Sequence, residues 1–243
     1  MILFSPEYIH YTLLGIILLP GIIYASYTSI KVKSTFDKYN QILVSTQITG
    51  AECAKRILES EGITDVQIVK GSGELTDNYN SKTNVITLSA DVYNGTTIAA
   101  LGVAAHEVGH AIQHAKNYAG AKIHTALGVA GQFMSHFVWP IILIGIVLDF
   151  AYVGGFVGKA FLWAGVGFFG VSLLFSIITL PVELNASKRA LKLLVSTNCV
   201  ASVEVKGAEK VLSAAAQTYI AAIVVSVLEL LRFVLFFFSR NKD

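Results

Sequence analysis

Charged residues are scarce in this chain. They make up 14% of its 243 residues, against about 25% in an ordinary soluble domain, which argues against a conventional solvated globule. The net charge is only +2, and no basic run interleaves with aromatics, which argues against nucleic acid as a partner. Cysteine is nearly missing. Cys53 and Cys199 stand alone, without C-x-x-C spacing, and read as free thiols in a reducing compartment. The N-terminus lacks a basic n-region and a small-residue cleavage site, so its apolar stretch reads as a retained anchor rather than a cleaved signal peptide.

What the chain has instead is apolar length. It is 54% hydrophobic, with a mean hydropathy of +0.63. Three or four stretches reach the roughly 20 residues that cross a bilayer. They run from Tyr8 to Ile30 (interrupted by Pro20-Gly21), Ala126 to Leu148, Phe161 to Leu180 and Tyr219 to Phe238. The last contains Glu229 and Arg232, one helical turn apart, where they can pair or let Arg232 reach the nearer interface. Basic residues are unevenly shared: nine Lys/Arg lie in 31–125 and five in 182–212, against one, Lys159, between the second and third stretches. The positive-inside rule therefore puts 31–125 and 182–212 in the cytoplasm. Arg240 and Lys242 weigh weakly against a fully spanning last helix.

Within the first cytosolic part stands His106-Glu107-Val108-Gly109-His110, an H-E-x-x-H pattern. On a helix, positions i and i+4 share a face, so His106 and His110 can present their imidazoles to one Zn²⁺. Glu107 sits about 100° further round, able to hold a water without ligating the metal. That is the arrangement of a zinc metallopeptidase with one catalytic ion.

Local signals place the motif. Thr49-Gly50-Ala51-Glu52 reads as a capping box opening a helix to about Ser60, stopped by Gly62. Val66–Val69 and Val85–Leu88 read as strands of a small sheet, and Thr96 or Thr97 caps a helix to about Asn117. The strand ahead of the motif either offers a free edge for an extended substrate or merely covers the helix.

A catalytic zinc needs a third protein ligand. His114 is eight residues beyond His106, about 12 Å along a helix, too far to share an ion with it. Lys116 stands where the longer three-histidine motif would put its last ligand, which excludes that class. His10, His124 and His136 lie in or beside apolar spans and read as packed histidines. Glu183, two residues after Pro181 on the cytosolic side, is the better candidate and opens a helical run to Val195.

With these residues in view the chain resembles the membrane-bound neutral zinc metallopeptidases of bacteria over nearly its whole length. The resemblance rests on Lys31-Val32-Lys33-Ser34, Thr49-Gly50-Ala51, Leu75-Thr76-Asp77-Asn78-Tyr79 and Val85-Ile86-Thr87-Leu88-Ser89, then on the run His106 to His114 and on Thr179-Leu180-Pro181-Val182-Glu183-Leu184-Asn185-Ala186-Ser187. It implies zinc-dependent peptide hydrolysis, with His106 and His110 as ligands and Glu107 as general base. A more distant likeness to membrane-anchored peptidases with a later Glu ligand supports Glu183. Those relatives place an Asp three or four residues beyond that Glu. Here Ala186 and Ser187 stand there, leaving Asn185 or Ser187 to orient a ligand.

The expected architecture is a mainly α integral membrane protein, with three to four transmembrane helices and a cytosolic zincin-like α+β portion holding a small sheet. Its expected parts are an anchor (1–30), a metallopeptidase part (31–125), a transmembrane hairpin (126–181), a cytosolic helix with the third ligand (182–212) and a C-terminal apolar helix (213–243). The expected partners are the lipid bilayer and a peptide or membrane-protein substrate. The expected location is the cell membrane, multi-pass, with the site facing the cytoplasm. His114, Tyr79 and Tyr219 are candidate oxyanion donors. Two other readings compete. One is an intramembrane protease using Leu148-Asp149-Phe150, which charge counting places on the opposite face. The other is a non-catalytic scaffold or quality-control adaptor with a structural zinc, for which Glu107 would be superfluous.

Overall fold

A computed structural model describes residues 15–73, 76–150 and 155–240. The chain divides into two compact units: Met1–Tyr27, Ala126–Ile178 and Tyr219–Asp243 form one, and Thr28–Thr125 with Thr179–Thr218 the other. His10, the start of the first apolar stretch and Leu75 lie outside the described residues. Seven α-helices are described: α1 (Leu19–Tyr39), α2 (Gly50–Ser60), α3 (Ala90–Asn94), α4 (Ile98–Ala115), α5 (Ala119–Phe150), α6 (Gly155–Ser196) and α7 (Val205–Arg240). Three strands, β1 (Gln67–Lys70), β2 (Asn78–Asn80) and β3 (Val85–Leu88), fall between α2 and α3.

Among the described residues, three helical stretches are long and apolar enough to cross a membrane: Gly15–Tyr39, Trp163–Ser196 and Val205–Leu235. The stretch from Ala126 to Leu148 lies inside α5, a helix of 32 residues. In the first unit the helices pack through small residues, as membrane helices do. A Cβ on Gly21 would come within 2.8 Å of Leu228, and one on Gly165 within 2.4 Å of Ile142. Glu229 and Arg232 do pair, at 2.7 Å.

The second unit is built from the local signals. Thr49 and Glu52 form the reciprocal capping box that opens α2. The helix buries Cys53, Ala54, Ile57 and Leu58, and the chain leaves it through Gly62 at φ +71°, where a Cβ would be strained. Thr97 caps α4, its Oγ1 accepting from the Ala100 N–H at 3.2 Å. The sheet order is β1-β3-β2, with β3 parallel to β1 and antiparallel to β2. The strand ahead of the motif is therefore central, so the free edge that one of its two readings gave it belongs to β1 and β2 instead. The short β2 escaped sequence reading because Asn78-Tyr79-Asn80 carries one β-former between two turn-formers. Ile86 and Leu88 of β3 are fully buried.

Two further boundaries differ from expectation. The first helix runs through Lys31 and Lys33 to Tyr39, and α6 runs through Pro181 without a break. A proline inside a helix costs about 3 kcal/mol. Val182, Ala186, Ala190 and Leu194, at i, i+4, i+8 and i+12, are all buried and offset that cost by packing. The segment 182–212 is consequently the end of α6, a turn and the start of α7, not a separate helix.

Candidate metal centre

The site grows from two helices pressed together. α4 is crowded with small residues, and at Gly109 an added Cβ would lie 2.7 Å from the Ala186 carbonyl oxygen of α6. Only glycine permits that backbone approach. It brings the i, i+4 histidines of α4 level with Glu183.

The donor atoms converge. Nε2 of His106 lies 3.2 Å from Oε2 of Glu183 and 3.2 Å from Nε2 of His110, which is itself 3.5 Å from that same oxygen. Ligand atoms about 2.0–2.1 Å from a tetrahedral zinc stand about 3.3–3.4 Å apart. The observed triangle matches that spacing, and among the described residues these three are the group able to hold a metal. Two imidazoles and one carboxylate are also the donor set of a catalytic zinc with an open position.

The remaining ring nitrogens are held from behind. Gln113 donates its amide N–H groups to the Val182 carbonyl at 2.8 Å and to Oδ1 of Asn185 at 3.0 Å. With both N–H groups used, its Oε1, 3.1 Å from Nδ1 of His110, can only accept. In its neutral form His110 then carries its proton on Nδ1 and turns a bare Nε2 lone pair to the centre. Asn185 is steadied in turn by Arg189, whose Nε donates to Oδ1 at 2.8 Å. Ser187 sits 3.1 Å from Nδ1 of His106. Gln113, like Arg189, is a residue here that sequence reading missed. Its signal was its spacing, three residues beyond His110 and so on the same face. Replacing Gln113 with Leu frees His110 to rotate, and zinc affinity should fall about 10–100-fold, as measured by competition with a chelator.

Glu107 is 8% exposed on α4. Burial raises its carboxyl above the ordinary range; His106 and His110 oppose this, while Glu183 and Asp77 add to it. A carboxylate raised in this way is a better proton acceptor than an exposed one. Burial lowers the pKa of His110, but the hydrogen bond and charge of Glu183 outweigh it, and the imidazole is pushed up to about 9. The site prefers a positive charge at its middle. A folded pKa raised above 6.5 contributes stability below pH 6.5 that is lost as pH rises through about 9. In metal-free protein a proton therefore competes with the ion, and zinc affinity should climb with pH up to about 9. Zinc titration of the chelated protein between pH 6.5 and 9 checks this, and a flat profile would refute it.

The other candidates are placed differently. Nε2 of His114 lies 3.2 Å from Oγ1 of Thr125, and its ring tilts against Tyr79, centroids 5.7 Å apart. The Tyr79 hydroxyl donates to Oδ1 of Asn84 at 2.9 Å, so its proton is already engaged. Tyr219 lies on α7 in the unit that does not contain the three donors.

Comparison with known proteins agrees with this geometry. Residues 14–238 match the family model described as "Putative neutral zinc metallopeptidase". The chain is also 41% identical, over 216 residues, to the "Putative membrane protease YugP" of Bacillus subtilis (strain 168), covering 88% of this chain and 91% of that one. No solved structure matches. The chain belongs to the neutral zinc metallopeptidase family that the model describes.

Proposed function

We propose, from that membership and the site's geometry, that the protein is a membrane-embedded zinc metalloendopeptidase cutting peptide bonds at the cytosolic membrane surface. The observation that carries the reading is the triangle of His106, His110 and Glu183 with zinc-ligand spacing, beside a buried carboxylate that spacing does not require. His106, His110 and Glu183 would hold the ion. When bound, it supplies Lewis-acid polarisation of the scissile carbonyl and makes a water acidic near neutral pH. Glu107, whose carboxyl is held up by burial, takes the proton from the attacking water and returns it to the leaving amine. Gln113 and Ser187 keep both imidazoles turned inward throughout. The free edges of β1 and β2 offer an extended substrate backbone hydrogen bonds. The distribution of lysine and arginine supports a cytosolic orientation, and the apolar helices suit substrates that arrive along the bilayer.

The test is cleavage of an unfolded, casein-like protein by the full chain in detergent, before and after chelation and with zinc restored. Cleavage lost on chelation and regained with zinc supports the reading. Cleavage indifferent to zinc refutes it.

A further inference from the structure

We propose that the groove between α1 and the start of α7 is a binding site for the phosphate of an anionic phospholipid headgroup. The groove has a volume of about 540 Å³ and is lined by Lys31, Lys38, Lys206 and Lys210, with Glu209 as its one carboxylate and Gln217 at its wall. Lys38, Lys206 and Lys210 share the groove with one carboxylate, and like charges so gathered repel one another unless an anion joins them. Among the described residues, Lys38, Lys206 and Lys210 enter no ion pair.

The groove is shaped by the backbone as well as by charge. Gly207 lets α7 sit against α1, since a Cβ there would meet the Tyr39 ring at 2.9 Å. Nζ of Lys31 donates to Oε1 of Gln217 at 3.1 Å, which ties the two helices together. Both helices belong to stretches apolar enough to span a membrane, and the lysines lie at the polar ends of those stretches. A phosphate held there has acyl chains that can follow the apolar turns of the same helices. A lipid therefore suits the groove better than a soluble phosphate. Charge distribution puts the groove on the cytoplasmic leaflet, the side where anionic lipids attract lysines next to membrane helices.

The experiment uses the full chain in detergent, with phosphatidylglycerol and phosphatidylcholine compared by native mass spectrometry. The wild type should retain phosphatidylglycerol at least about tenfold more strongly. Each lysine near an anionic surface is worth roughly a fivefold change in affinity, so Lys206→Gln with Lys210→Gln should weaken retention about 25-fold. Zinc content should not change. Lys38→Gln, on the facing wall, should weaken retention about fivefold, which keeps the test open if the double variant misfolds. The exposed pair Lys55→Gln and Lys82→Gln should have no effect. Equal retention of the two lipids, or an equal loss in the exposed pair, would overturn the proposal. So would displacement by glycerol 1-phosphate at the lipid's own concentration, which would make the ligand a free phosphate.

Discussion

Replacing Glu107 with Gln should leave the zinc content unchanged and lower turnover of an unfolded protein substrate by about 10²–10⁴-fold. The two halves of that result have separate causes. The substituted side chain would keep the size and burial of the native one, and the three donors that converge on the ion, His106, His110 and Glu183, are untouched. An amide, however, cannot accept the proton of the attacking water. The measurement is cleavage by wild type and Glu107→Gln at matched, independently determined zinc content. Equal activity in both would trace the cleavage to a contaminant or remove Glu107 from the chemistry. Retained zinc with activity lost would also dispose of the scaffold reading, since a structural clamp has no use for a base beside its ligands.

Gly109→Ala should cost about 10–100-fold in zinc affinity even though every ligand remains. The new methyl would sit 2.7 Å from the Ala186 carbonyl oxygen and 3.2 Å from that residue's Cα, both backbone atoms. Backbone cannot rotate away as a side chain can, so α4 and α6 must part. Metal sites tolerate errors of only about 0.2 Å in ligand distance, and Glu183 lies on the helix that would be displaced. Overpacking should also lower stability by about 1–3 kcal/mol. Gly170→Ala is the control, because no atom lies within 4 Å of a Cβ at that position and zinc binding should survive it. Chelator competition and thermal melting of the two variants decide the matter. Normal zinc affinity in Gly109→Ala would show that the helices do not rely on this contact.

What could be read from the chain alone was local. H-E-x-x-H places two imidazoles on one face through the 3.6-residue turn, the Thr49–Glu52 box opens a helix through bonds spanning three residues, and long apolar runs declare membrane helices from composition. Glu183 was within reach because a carboxylate after an apolar span has few structural reasons to be there. Pairings across the chain were not legible. The short β2 claims one side of β3 and β1 the other, so the free edge that one of two readings gave β3 lies elsewhere. Gln113 looks like any polar helix residue until Asn185 and Val182, some 70 positions away, consume its N–H groups and leave only its oxygen for His110. Ser187 acquires meaning only because His106 arrives beside it. Even Pro181, read as an exit, is carried through by the buried stripe from Val182 to Leu194. Local bonding sets which residue types stand at which spacing. Close packing, through a contact as small as the missing Cβ of Gly109, decides which of them meet.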